Sequence, residues 1–203
     1  MFSLIQAAGW PIWPLIIASV IALAIIAERL WSLRASLAMP KGLLTQAVQE
    51  FRQNGANPAA LTKLADGSPL GQVLAAGIKN INASPVIMKE SIEEAGRSAA
   101  AGMERFLNTL GTIAAVAPLL GLFGTVIGMI EIFGSSSPTG NSNPTQLAHG
   151  ISIALYNTAF GLVVAIPSMI FYRYFRGKVD NLLLDMEMQG TKLVEILHGE
   201  RQA

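Results

Sequence analysis

Apolar runs of membrane-spanning length alternate with amphipathic stretches along this chain. The first run, residues 11–27, holds one polar residue, Ser19, and is bracketed by Trp10, Trp13 and Trp31. Indoles favour the headgroup layer, so the bracket predicts a helix crossing about 30 Å of hydrocarbon. Two more apolar runs follow at 111–133 and 151–171, each long enough to span. The stretch between them, GSSSPTGNSNPTQLAH, is polar and too short for a domain, which predicts a turn over 134–150.

Residues 28–110 and 172–203 are patterned differently. Leu43, Leu44, Ala47, Val48 and Phe51 recur at the spacing of one helix face, as do Val179, Leu182, Leu183, Met186, Leu193, Ile196 and Leu197. Turn signals at Asn54-Gly55, Asn57-Pro58, Asp66-Gly67 and Ser84-Pro85 separate the pieces. Ser84-Pro85 reads as a cap followed by a first-turn proline. From there Met88, Ile92, Ala95, Ala99, Met103, Phe106 and Leu110 run without a proline into the second apolar run. A single long helix is therefore expected to rise from the polar region into the second span, and the third span is expected to continue as a helix into the tail. The expected fold is an all-α membrane protein. Its parts are an amino end at 1–10, spans at 11–27, 111–133 and 151–171, a helical domain at 28–110, a turn at 134–150 and a helical tail at 172–203.

Composition strengthens the membrane reading. Apolar residues make up 52% and charged residues 13%, against about 25% charged in a soluble domain. The fourteen Lys and Arg residues all fall in the 28–110 domain and the tail, none in the amino end or the turn. The positive-inside rule then places domain and tail in the cytosol and the amino end and turn on the opposite side. Arg29, Arg34 and Lys41 follow the first apolar run rather than precede it, the reverse of a cleavable leader. A formal net charge of +1 without a basic cluster argues against nucleic-acid binding. The absence of cysteine excludes disulfides, thiolate metal sites and a cysteine nucleophile.

Projected on helices, the second and third runs each separate small from large residues. Ala114, Ala117, Pro118, Gly121, Gly124, Thr125 and Gly128 share one face of the second, opposite Val116, Leu120, Phe123, Ile127 and Ile130. In the third, Ala154, Thr158, Gly161, Ala165 and Ser168 oppose Ile153, Phe160, Val164 and Phe171. Small faces let helices approach closely in lipid, and Gly124-x-x-x-Gly128 is the strict form of that motif. The faces fit ordinary packing, a specific interface or a pore wall. Thr125, Thr158 and Asn157 are the polar groups at depth. A buried threonine is commonly satisfied by a carbonyl of its own helix, whereas Asn157 calls for an interhelical partner. Glu131 lies near the outer end of the second run, and His149 in the turn reads as solvated.

Catalytic signatures are missing: the chain has no phosphate-binding glycine loop with its lysine, no G-x-S-x-G elbow and no H-E-x-x-H, and no cofactor is expected. The stretches APLLGLFGTVIGM (from Ala117, through Pro118 and Thr125) and GISIALYNTAFGLVVAIP (Gly150 to Pro167) instead resemble the two core helices of the ExbB/TolQ/MotA proton-channel family. Three spans, the long insertion after the first and the Arg173-Tyr-Phe-Arg176 exit resemble its ExbB branch most closely, since the MotA branch has four spans. The resemblance covers nearly the whole chain.

That resemblance implies a homopentameric ring in the bacterial inner membrane. Its pore, walled by the second and third spans, would enclose the transmembrane helices of an ExbD-like subunit bearing an aspartate. A TonB-like protein would carry the work of the proton motive force to outer-membrane receptors. Thr125 and Thr158 match the family's pore threonines, with Asn157 beside them, and Gly121, Gly124, Gly128, Gly161, Pro118 and Pro167 match its packing positions. Relatives often carry a glutamate early in the third helix; the matching residue here is Ile153, with Asn157 one turn later. A TolQ-like role in envelope integrity and a membrane scaffold without ion flux are the alternatives.

Overall fold

The computed structural model describes residues 9–135 and 144–199, except for the side chains of Ser135, Pro144, Gln146, Leu147, His149 and Ile153. Most of the expected amino end and turn, together with the side chains of His149 and Ile153, thus lie outside the described residues. Among the described residues the chain forms helices and no strands. They are α1 (Ile12–Ser32), α2 (Ala35–Ala38), α3 (Leu43–Asn54), α4 (Pro58–Gly67), α5 (Pro69–Lys79), α6 (Pro85–Met103), α7 (Leu107–Ser135) and α8 (Pro144–Leu197). Three of them, α1, α7 and α8, are long and apolar enough to cross a membrane.

Three helix starts share one local device. Asn57, Ser68 and Ser84 each adopt an extended conformation, accept a hydrogen bond from the backbone N–H of Ala59, Gly71 and Ile87 respectively, and precede a proline. The side-chain oxygen satisfies an N–H that the first turn leaves without a partner, and proline there forfeits no helical hydrogen bond.

One expectation fails. The helix rising from Ser84 does not run on into the second span: α6 ends at Met103, and Phe106 takes a positive φ of 67° before α7 begins at Leu107. The N–H groups of Glu104 and Arg105 donate back to the carbonyls of Ala100 and Gly102, closing α6 with a tight turn. A left-handed aromatic residue costs of order 1 kcal/mol, held by the structure around it. The third span behaves as expected, since α8 continues unbroken from Pro144 to Leu197.

Residues divide into two compact units. The first comprises residues up to Glu28 together with Phe106–Tyr174. Its core is small: Leu15, Ala117, Val164 and Ala165, flanked by Ile113, Leu120 and Phe160. Val164 and Phe160 belong to the large face of the third run, yet they turn inward, because α1 lays Leu15 against that part of α8. Leu23, Leu119, Leu122, Val163, Ile166 and Ile170 stay exposed, as a surface facing lipid would.

The second unit comprises Arg29–Arg105 and the chain from Phe175 onward. Here the buried side chains are large: Leu74, Ile78, Met88, Phe175, Met186 and Leu193 are all shielded from solvent. α5 is its centre, packing on α3, α4 and α6. A Cβ at Gly77 would stand 2.8 Å from Leu193, and one at Gly190 would stand 2.5 Å from Ile92. Two glycines thus let the tail of α8 close on α5 and α6. Arg176 and Glu104 form an exposed ion pair at 3.7 Å, a contact of little energetic weight.

Candidate functional site

The small residues of α7 and α8 meet along one seam. A Cβ at Gly161 would lie 2.6 Å from the Ala117 carbonyl oxygen and 3.2 Å from the Gly121 Cα. One at Gly121 would lie 2.8 Å from the Asn157 carbonyl oxygen. These are backbone-to-backbone approaches that no side chain permits, which is how helices gain van der Waals contact where lipid removes the hydrophobic drive. Two turns further, a Cβ at Gly128 would lie 3.2 Å from the Gly150 carbonyl oxygen. Pro118 is half-buried beside the seam and Pro167 is exposed on α8.

Asn157 sits inside this seam at 0% exposure. Gly124 makes its space, since a Cβ there would stand 2.6 Å from the Asn157 Cβ and 2.7 Å from its Cγ. Of the three polar residues singled out at depth, Asn157 is therefore walled in by its own chain.

Both threonines lie at the seam's edge and are half-buried. The Thr158 hydroxyl donates across the helices to the Gly121 carbonyl at 3.4 Å. The Thr125 hydroxyl donates to the Leu122 carbonyl of its own helix at 2.6 Å. Gly121 and Thr125 are one helical turn apart on the same face, so the two hydroxyls belong to one polar strip bordering Asn157. A hydroxyl donates one proton and accepts through two lone pairs; each can therefore still receive a hydrogen bond from outside the chain. Ser168, a further polar residue, is fully buried and donates to the Val164 carbonyl at 2.7 Å, which is the local satisfaction expected of a hydroxyl in a membrane helix.

Glu131 is exposed on the last turns of α7, at the end far from α6. Phe123 is exposed and meets Trp10 edge-on with ring centroids 6.1 Å apart. No group of three or more metal-ligating side chains occurs among the described residues. The strip can pass hydrogen bonds, and it holds no side chain that titrates near neutrality. The sequence did not disclose Arg29, which looked like a marker of orientation. It is buried at 6% exposure and donates to the Met103 carbonyl at 2.9 Å. Its one signal was its place two residues past the apolar run.

Known proteins resemble this chain over most of its length. Residues 65–188 match the model of the MotA/TolQ/ExbB proton channel family. The chain is 34% identical over 175 residues to the biopolymer transport protein exbB1 of Vibrio cholerae, covering 81% of this chain and 74% of that one. It is 32% identical over 176 residues to a biopolymer transport protein, ExbB-like 3, of Synechocystis, covering 85% and 83% respectively. A shorter match of higher identity, 42% over 85 residues, links it to the biopolymer transport protein ExbB of Salmonella typhimurium, with 41% of this chain and 35% of that one covered.

Proposed function

Because the chain belongs to the MotA/TolQ/ExbB proton channel family, we propose that this multi-pass membrane protein is the ring-forming subunit of an ion-driven motor in the bacterial inner membrane. In this reading it assembles as a pentamer around an ExbD-like subunit and uses the proton motive force to energise a TonB-like protein for import across the outer membrane. The amino end faces the periplasm, and the 28–110 domain and the tail face the cytosol, as the distribution of Lys and Arg requires. The ExbB names of the relatives favour import over a TolQ-like role.

The observation that carries the proposal is the half-buried threonine pair beside a glycine seam. Moving a proton across hydrocarbon needs a group that changes charge near neutral pH. Threonine and asparagine only donate and accept hydrogen bonds. Glu131, the acid of α7, is exposed near one end of its helix, which leaves the rest of the path without a titrating side chain among the described residues of α7. A carboxylate must come from another chain and stand where the Thr125 and Thr158 hydroxyls can bond it. That requirement fits a partner aspartate and gives the threonines their role as pore lining, with Asn157 fixing the seam behind them.

Proteoliposomes test this directly. Vesicles holding this protein alone should carry no proton flux, and adding the ExbD-like subunit should restore it. Robust flux from this chain alone, undiminished in Glu131→Gln, would overturn the reading, and absence of flux with every partner would leave the scaffold. Orientation has its own test in this cysteine-free chain. Gln72→Cys and Gln189→Cys should react with an impermeant thiol reagent in inverted vesicles and stay unlabelled in intact spheroplasts.

A further inference from the structure

α1 does not stop where its apolar run stops. It continues past residue 27 to Ser32, and α2 follows at Ala35–Ala38. Trp31 therefore lies about 6 Å of helix rise beyond the run, with Arg34 shortly after it. A headgroup layer occupies about 5–8 Å on each side of the hydrocarbon, so this stretch leaves the span inside that layer.

The buried residues of the stretch fix which way it faces. Leu33 and Ala38 are shielded from solvent, and the N–H groups of Leu37 and Ala38 both donate to the Arg34 carbonyl, at 2.9 and 3.1 Å. The other side looks outward: Trp31 is 64% exposed, Leu37 is 48% exposed, and Arg34 and Lys41 are exposed as well. Two apolar groups and two cations thus share one outer surface, which nothing in the channel reading uses.

The cations are open. The Arg34 guanidinium stands 4.5 Å from the centre of the Trp31 ring, a cation–π contact that holds it in place and occupies none of its five N–H donors. Neither Arg34 nor Lys41 makes a side-chain hydrogen bond or an ion pair among the described residues. Residues 29–49 contain three basic side chains and no Asp or Glu. Arg29, the third, is buried and engaged by its own chain. Asp66 shares a wall with Trp31 and Leu37 and pairs with neither cation.

We propose that Trp31, Arg34, Leu37 and Lys41 form a docking surface for an anionic phospholipid of the phosphatidylglycerol type. Arg34 and Lys41 take the phosphate, whose oxygens the arginine fork matches. Trp31 and Leu37 lie against the glycerol backbone and the first methylenes, where an amphipathic ring is at home. An interfacial tryptophan alone accepts any phospholipid; the two open cations supply the selection. A choline or ethanolamine headgroup brings an ammonium that cancels the phosphate charge and is repelled by the same cations. A glycerol headgroup brings none.

The test uses the full-length protein with Trp10→Phe and Trp13→Phe, which leave Trp31 as its one tryptophan. It is reconstituted in choline-phospholipid bilayers that carry a small, equal fraction of either glycerol or choline phospholipid brominated on the upper acyl chain, a quencher of adjacent indoles. The glycerol lipid should occupy the site in preference to the choline lipid by about tenfold. One cation near the membrane surface contributes a factor of about five, so Arg34→Gln should lower the preference to about twofold. The unfolding midpoint should stay unchanged, because the side chain is exposed, and Arg34→Lys should keep most of the preference. Trp13 retained alone, with Trp10→Phe and Trp31→Phe, should show no preference, since residues 1–27 hold no ionisable side chain. Soluble glycerophosphoglycerol should leave the quenching of Trp31 as it is; relief of quenching would assign the surface to a soluble diester and overturn the lipid proposal. Equal quenching of Trp31 by the two lipids, a preference that Trp13 shares, or one that survives Arg34→Gln would overturn it too. So would a Trp31 that neither lipid quenches, because another chain would then cover the surface.

Discussion

The two units are built from the same secondary structure and held by opposite means. In the unit of the spans, the closest contacts are made by residues with almost no side chain: Gly121, Gly128 and Gly161 bring α7 and α8 to backbone contact and Gly124 makes room for Asn157, while Leu119, Val163 and Ile166 stay exposed. In the other unit Phe175, Met186 and Leu193 are shielded at the centre, and among its described charged residues Arg29 alone is buried. The difference follows from the solvent. Water rewards hiding apolar area, so the unit it bathes buries its largest residues. Lipid is as apolar as leucine, so only close packing and hydrogen bonds hold helices together there. Helix burial cannot be read from hydrophobicity alone; the medium decides which residues go inside.

The comparison breaks first if large side chains matter equally in both units. Leu193→Ala should lower the stability of the second unit by about 2–5 kcal/mol, the range for emptying a buried leucine site. Leu119→Ala, at an exposed position of α7, should change stability by less than about 0.5 kcal/mol. Urea-dependent proteolysis of the second unit and thermal aggregation of the whole protein report the two effects. Equal losses would mean that Leu119 is covered by another chain.

The next largest effect runs the other way, through added bulk. Gly161→Ala places a methyl against the Ala117 carbonyl and the Gly121 Cα, and backbone cannot rotate aside as a side chain can. Overpacking of this kind costs about 1–3 kcal/mol and should appear as loss of assembled protein on a native gel. An alanine variant that assembles normally would show that the two helices are not held at this distance.

Much of this was legible in the residues, and the reasons are physical. Span positions followed from apolar length, and the Ser84 cap followed from a serine placed before proline. The glycine seam followed from helical spacing. What escaped were features set by neighbours or by backbone strain. No proline marks the break at Phe106, and no glycine takes the left-handed position there; its positive φ violates the local preference that sequence reading relies on. The inward turn of Val164 depends on Leu15, more than a hundred positions away. Asn157 was grouped with the two threonines at depth and set apart as calling for an interhelical partner, but only the gap left by Gly124 shows that it is enclosed.

Smaller in energy, and sharper about function, is Thr158→Val. Valine keeps the shape and removes the hydroxyl that reaches Gly121 at 3.4 Å. An interhelical hydrogen bond in a membrane is worth about 0.6 kcal/mol on average and at most about 1.7, so the proposed ring should still form. Proton flux through the complex should nevertheless fall, since a lone pair that could serve the partner carboxylate is gone. Thr125→Val removes a bond made within its own helix and should disturb packing still less. If both variants conduct like the parent, the threonines serve packing alone.

The smallest effect reverses sign and isolates what glycine does in this fold. Gly177 lies in α8, as Gly161 does, but it is exposed, and a Cβ there would meet nothing within 4 Å. The same change to alanine that should break the seam at Gly161 should here be favourable. Alanine restricts the unfolded chain and adds no contact to the folded one, a gain of about 0.5 kcal/mol. For a chain of this length that amounts to a rise of roughly 1–2 °C in the unfolding midpoint. A gain at Gly177 and a loss at Gly161 would show that approach distance, not helix propensity, decides where α8 needs glycine. Destabilisation by Gly177→Ala would instead reveal a neighbouring chain against that turn of the helix, and would mark it as a second place where close approach holds the assembly together.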